Sequence, residues 1–165
     1  MQSLRSTWRA LREQMVRDPM SPERVAAGWA LGMFIGCSIL FGLQLIVSVP
    51  LSFFLKVSKI GATVGTLITN PVSIFFIYPV QIWVGGRLIG HPLTWEYIHD
   101  VTAKLAHISL LSADGWRTLS EISGRVLGGF FAGGLLFALV CAPLTYWGVR
   151  RVVVKYRALR QRRRR

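Results

Sequence analysis

The sequence predicts an all-α, polytopic transmembrane helical bundle with an N-terminal helical hairpin and a kinked Asn-Pro helix. Three observations carry this expectation. Residues 25–55, 60–86 and 126–149 contain no charged side chain, and each run reaches the roughly 20 apolar residues a helix needs to cross a bilayer. All 7 carboxylates and all 20 Lys and Arg lie outside these runs, the partition that lipid enforces on charge. Basic residues also border each run.

Composition narrows the class further. The 165 residues suffice for one domain, and the net charge of +13 sits mainly at the two ends. Arg5, Arg9, Arg12, Arg17 and Arg24 precede or open the first run, and Arg150, Arg151, Lys155, Arg157 and Arg160 follow the last one. Basic ends beside apolar spans speak for cytoplasmic orientation and anionic lipid, and nucleic acid is not the expected partner. Arg162, Arg163, Arg164 and Arg165 are the expected anionic-lipid contacts. The mean hydropathy is only +0.45, because the ends and one connection are polar. Cys37 and Cys141 both lie inside apolar runs and make no metal-ligand spacing. No cleavable signal peptide is expected, since the first run starts late and is long.

Residues 1–20 read as a basic amphipathic cytoplasmic helix. Leu4, Trp8, Leu11 and Met15 form one apolar stripe flanked by Arg5, Arg9 and Arg12, suited to lie in the headgroup plane or to pack on a partner. The membrane domain, residues 21–149, opens at Ser21 and Pro22, an N-cap followed by the favoured first helical residue.

Residues 25–55 are too long for one simple span. Gly42 and Gln44 near the middle place a bend there, and each arm is then only about 15 residues, or roughly 22 Å. A re-entrant hairpin, a hairpin of two full spans and a single tilted span all remain compatible with the residues. A hairpin returns Lys56 and Lys59 to the side of the basic N-terminus. Residues 60–86 are expected to cross as one helix interrupted at Asn70 and Pro71, with Thr66, Thr69, Asn70 and Ser73 available to satisfy the backbone that proline leaves unpaired. Residues 87–125 carry four cations against four carboxylates and are expected outside the cytoplasm, with Ile98, Val101, Leu105, Ile108 and Leu111 as a helical stripe, a turn at 113–115 and a second short helix near Trp116. Residues 126–149 return to the cytoplasm, and 150–165 form a polybasic tail.

Glycines recur at four-residue spacing: Gly28, Gly32 and Gly36; Gly61 and Gly65; Gly129 and Gly133. They allow close helix approach, inside one chain or between copies. Arg24, Gly28 and Gly32 echo Arg125, Gly129 and Gly133, a spacing that an internal repeat would also produce.

The candidate pathway or substrate site is Gly42, Gln44, Thr66, Asn70 and Pro71, because amide side chains and broken backbone inside apolar runs mark binding sites in membrane proteins. The same residues can equally pin the two breaks. No catalytic residue, cofactor or metal site is expected. His91, Glu96, His99, Asp100 and His107 carry no metal signature and read as a solvated face. The chain is not expected to be an enzyme.

Ser21-Pro22, the glycines at 28, 32 and 36, Gly42-Leu43-Gln44, Gly65-Thr66, Asn70-Pro71 and Gly90 resemble, in order and spacing, a bacterial membrane family catalogued as domain of unknown function 2062. The resemblance covers residues 21–90. The chain departs from the family at Ile39-Leu40, where a proline is common, and at Lys56-Val57-Ser58, where Arg-x-Asn is usual. The resemblance implies a multi-pass protein of the bacterial inner membrane and brings no catalytic residues. Fusion of some relatives to glycosyltransferase domains hints at lipid-linked sugar or envelope metabolism. The expected function is small-solute or lipid transport or handling. The alternative is a non-catalytic scaffold that binds envelope-biosynthesis partners and anionic lipid, alone or as a homo-oligomer.

Overall fold

The computed structural model describes residues 18–67, 69–107, 117, 122 and 124–162. Among them are six helices and no strand: α1 (Pro22–Ser38), α2 (Gln44–Phe54), α3 (Lys59–Thr66), α4 (Pro71–Leu88), α5 (Trp95–His107) and α6 (Gly124–Arg162). One of these, over Gly124–Leu159, is long and apolar enough to cross a membrane. Of the expected helix at 1–20, residues 18–20 are not helical, and 1–17 lie outside the described residues, as do the turn at 113–115, the helix near Trp116, and Ile108, Leu111 and Arg163 to Arg165.

α6 is the spine. Its 39 residues extend about 58 Å, and α1 and α4 pack along different stretches of it. α3 packs on α1 and α5 on α4. The helix does not stop at the end of its apolar run. Val149 and Val153 stand one turn apart and close a core with Val25, Ala26 and Trp29, so the first arginines of the basic segment are helical.

α1 starts where Ser21 and Pro22 direct it, with the Ser21 hydroxyl accepting from the Arg24 N–H at 3.4 Å. It runs antiparallel to α6. Val25 clusters with Val149 and Val153 at one end, and a side chain at Gly134 would meet the Cys37 carbonyl at the other. Glu23 in the first turn pairs with Arg150 across the two helices at 3.2 Å. Hydrogen bonding by its own backbone N–H, then by Arg150, holds the Glu23 carboxyl below the usual carboxylate range.

The chain then turns back. Gly42 adopts φ +99°, a conformation that a side chain would strain, and α2 follows. After α2, Lys56 also takes a left-handed φ of 53°. The Ser58 N–H donates to the Arg24 carbonyl at 3.1 Å, and the Ser58 hydroxyl bonds the Asp18 carboxylate. The turn is thus tied to the start of α1. Residues 25–55 form a hairpin that returns to its own entrance, and the single tilted span is excluded. Ser58 also caps α3 through the Gly61 N–H at 2.9 Å.

The expected kinked Asn-Pro helix is instead two separate helices. Pro71 has no N–H to continue α3, and Asn70 builds a complete new start. Its Oδ1 accepts from the N–H groups of Val72 and Ser73 at 2.9 and 3.0 Å, while its own N–H donates to the Ser73 hydroxyl at 2.8 Å. With this reciprocal cap available, ending one helix and opening another is cheaper than a kink with orphaned carbonyls. Residues 60–86 therefore do not cross as a single helix. Pro50, Pro79 and Pro143, by contrast, lie inside helices.

Glycines set the helix spacing. α3 lies along α1, with Gly28 against Ser58, Gly32 against Ala62 and Gly65, and Gly36 against Thr66 and Thr69. α4 and α6 meet antiparallel through Gly85 on Gly129 and Gly133 on Gln81. The described glycine pairs thus serve packing within the chain. The repeated Arg and Gly spacing arises because both pairs seat a neighbouring helix, a parallel one in the first case and an antiparallel one in the second. Above the hairpin bend, Tyr78 meets Phe130 edge-on with centroids 4.7 Å apart. Leu40, Ile74, Ile82, Ile98, Val101 and Val126 complete this core.

Candidate functional site at the hairpin bend

A helix ends with carbonyls that have no helical donor, and the end of α1 lies deep in the apolar part of the molecule. Two glutamines from other helices serve it. Gln44 Nε2 donates to the carbonyls of Gly36 and Ile39 at 3.0 and 2.9 Å. Gln81 Nε2 reaches the Cys37 carbonyl at 3.3 Å. The bend is also held from α4, where the Tyr78 hydroxyl accepts from the Phe41 N–H at 2.8 Å.

Gln44 is only 3% exposed. Its Oε1 accepts from the Thr69 hydroxyl at 3.0 Å. That hydroxyl also lies 3.2 Å from the Gly36 carbonyl and 2.9 Å from the Thr66 carbonyl. With one hydrogen it serves these acceptors in alternation. Thr66 bonds back to the Thr63 carbonyl at 2.7 Å. The bend is therefore a polar knot among α1, α2 and the end of α3, beside which Ser38 Oγ and Gln81 Oε1 are buried without a hydrogen-bond partner.

Of the five residues singled out in the sequence, the structure gathers Gly42, Gln44 and Thr66 around one small cavity of about 110 Å³, together with Phe41, Leu45, Leu67 and Thr69. Asn70 does not line it; its side chain is exposed and caps α4. Pro71 serves as the first residue of that helix. The cavity offers room for a few water molecules, and no ionisable group lines it. Its hydrogen-bonding groups are already used by the protein.

Two features of this region were missed in the sequence. The first is the orientation of α2. Gln44, Ser48 and Ser52 point inward, while Leu45, Ile46, Val47, Leu51, Phe53 and Phe54 are exposed. The spacing of the three polar residues, four apart, was the available signal. The second is an open apolar groove of about 420 Å³ between α1, the turn after α2, and α6. Its floor is made by alanines on both helices, which no motif marks.

The histidine-bearing segment shows ordinary surface pairing. Lys104 meets Asp100 at 2.9 Å, and the rings of Trp95 and His99 are 4.9 Å apart. Among the described residues no three His, Cys, Asp or Glu gather as metal ligands.

A family model described as an uncharacterised protein conserved in bacteria, DUF2062, matches residues 5–162. The match reaches far beyond the stretch that carries the sequence motifs and includes α5 and α6. No curated protein and no solved structure matches the chain.

Proposed function

We propose that this chain, which belongs to the DUF2062 family of uncharacterised proteins conserved in bacteria, is a multi-pass protein of the bacterial inner membrane with a non-enzymatic, lipid-handling role. One observation carries the membrane reading: many large apolar side chains are exposed while a set of polar ones is buried. Phe54 is 83% exposed and Phe76 72%, and Val72, Leu139, Leu144 and Trp147 are exposed with them. Meanwhile Gln44, Ser48, Ser52, Thr66, Thr69 and Gln81 are buried. In water each such large apolar side chain forgoes roughly 1.5–3 kcal/mol of burial. In hydrocarbon the penalty vanishes, and the inward polar groups escape lipid.

The ends of this apolar belt are marked. The Arg87 guanidinium lies 3.5 Å over the Trp83 ring at one end. At the other, Lys59 lies 3.7 Å over Phe53 and Arg151 lies 5.7 Å from Trp147. Cations folded over aromatic rings suit the lipid–water boundary. From Val126 to Trp147 α6 rises about 32 Å, close to a hydrocarbon core of about 30 Å.

In this reading α6 crosses fully, and α3 and α4 together cross in the opposite sense as two stacked pieces. The α1–α2 hairpin enters from the basic end and turns back about 22 Å deep, the rise from Val149 to Gly134. α4 and α6 meet the bend at the Phe41 N–H and the Cys37 carbonyl, while Gly42 at its tip is exposed. The basic end faces the cytoplasm and carries both termini. Its arginines, through Arg162 and beyond, bear on anionic headgroups.

Lipid is favoured over a small solute because Gln44, Thr66 and Thr69, which line the small cavity, are engaged by the protein itself, whereas the larger space is an apolar groove open at the side. A bend held by the protein's own groups also suits a scaffold, whose groove would leave lipid composition without effect. Reconstitution with acyl-brominated phospholipid tests the embedding. A sole tryptophan at Phe76→Trp should be strongly quenched and a sole Trp29, buried against α6, should not. Equal, weak quenching at both positions would refute it.

A further inference from the structure

We infer that the groove between α1 and α6 is a binding site for one anionic phospholipid, its acyl chain lying in the groove and its phosphate at the basic mouth. This rests on the membrane reading above and adds the ligand class. Ala27, Ala30, Ala138 and Ala142 make the recess, since their short side chains leave a furrow between helices whose neighbouring faces carry Leu31, Phe34 and Leu139. The furrow is almost wholly apolar and runs about 10 Å along α1 from Ala27 to Phe34. Nothing in it could orient a polar solute. It has the section and chemistry of a hydrocarbon chain.

The mouth has the opposite character. Tyr146 closes the groove at the cytoplasmic end, where a phenol can keep its ring in hydrocarbon and its hydroxyl among headgroups. Arg24 precedes Ala27 by three residues and Arg150 follows Tyr146 by four, so each continues a groove-lining helix face. Lys56 sits between Leu55 and Val57, which both line the groove. All three cations are exposed; Glu23, paired with Arg150, and Asp18, bonded to the Ser58 hydroxyl, oppose them, and Arg157, bonded to the Met20 and Asp18 carbonyls, adds a fourth cation at the same end. Two forked guanidinium groups and an ammonium at the end of an apolar furrow complement a phosphodiester. The surplus of positive charge selects a headgroup without a compensating amine.

The test uses full-length protein in mild detergent, with phosphatidylglycerol and phosphatidylcholine as probes. Affinity and melting temperature are followed for wild type, Lys56→Asn and Ala30→Phe. Asparagine tolerates the left-handed backbone at position 56, so the fold is kept while the charge is lost. Wild type should bind phosphatidylglycerol roughly tenfold more tightly than phosphatidylcholine. Lys56→Asn should lose about fivefold of that preference without lowering the lipid-free melting temperature. Ala30→Phe, which fills the furrow, should weaken both lipids. Equal affinity for the two lipids overturns the proposal, and so does phosphatidylglycerol binding that Ala30→Phe leaves intact, since a headgroup held on the surface needs no groove. Should Ala30→Phe fail to fold, Lys56→Asn still decides. Failure of the membrane reading itself would appear separately, as loss of bromolipid quenching at Phe76→Trp.

Discussion

Gly85→Ala and Gly133→Ala should each prevent accumulation of folded protein, the largest effect expected of any single methyl group in this chain. A Cβ at Gly85 would land on the Gly129 carbonyl oxygen, and one at Gly133 on the backbone of Gln81. In both cases the obstacle is backbone, which has no rotamer to escape into. The helices would have to separate, opening the core around Tyr78 and Phe130. Extra methylenes in a packed core cost about 1–3 kcal/mol when side chains can adjust, and these sites should reach at least the top of that range. Gly148→Ala is the control. It lies inside α6 with no atom within 4 Å of an added Cβ, and alanine should stabilise the helix there by up to about 1 kcal/mol. Thermal melting followed by size-exclusion chromatography in detergent separates the cases. Wild-type melting of Gly85→Ala would show that α4 and α6 do not meet as described.

Gln44→Ala should lower stability by roughly 2–4 kcal/mol, more than any other polar truncation at the bend. The Gly36 and Ile39 carbonyls would lose the donor that Nε2 supplies, and the Thr69 hydroxyl would lose an acceptor. Asn70→Ala removes an exposed N-cap and should cost only about 1 kcal/mol. A melting series on both variants checks the order. A Gln44→Ala protein as stable as wild type would mean that the amide serves a ligand rather than the helix end, and would restore the bend as a substrate site.

The hairpin was legible because its signals are local. Ser21 and Pro22 mark the start of α1, Gly42 marks the positive-φ turn, and the charge-free stretch is too long for one arm. Asn70 and Pro71 were legible as an interruption, but kink and break differ only in whether Ser73 completes the reciprocal cap, and that depends on backbone geometry. Gln81 drew no reading from the sequence, since its partner, the Cys37 carbonyl, is 44 positions away. The inward row of Gln44, Ser48 and Ser52 was in view at helical spacing. It went unread because mild hydroxyls hardly disturb an apolar run. The groove was not legible at all. It depends on which alanines of α1 and α6 come to face each other, a matter of helix pairing.

The re-entrant hairpin in a two-crossing frame is tested most directly by labelling single cysteines, in a Cys37→Ala, Cys141→Ala background, with a membrane-impermeant maleimide on intact spheroplasts and after lysis. His91→Cys should react from outside. Lys56→Cys and Leu159→Cys should react only after lysis, because the turn after α2 is tied to Asp18 and Arg24 at the same end of the molecule as the close of α6. Reaction of Lys56→Cys from outside together with His91→Cys would mean that residues 25–55 cross the membrane instead of turning back, and would contradict the fold's placement in the bilayer.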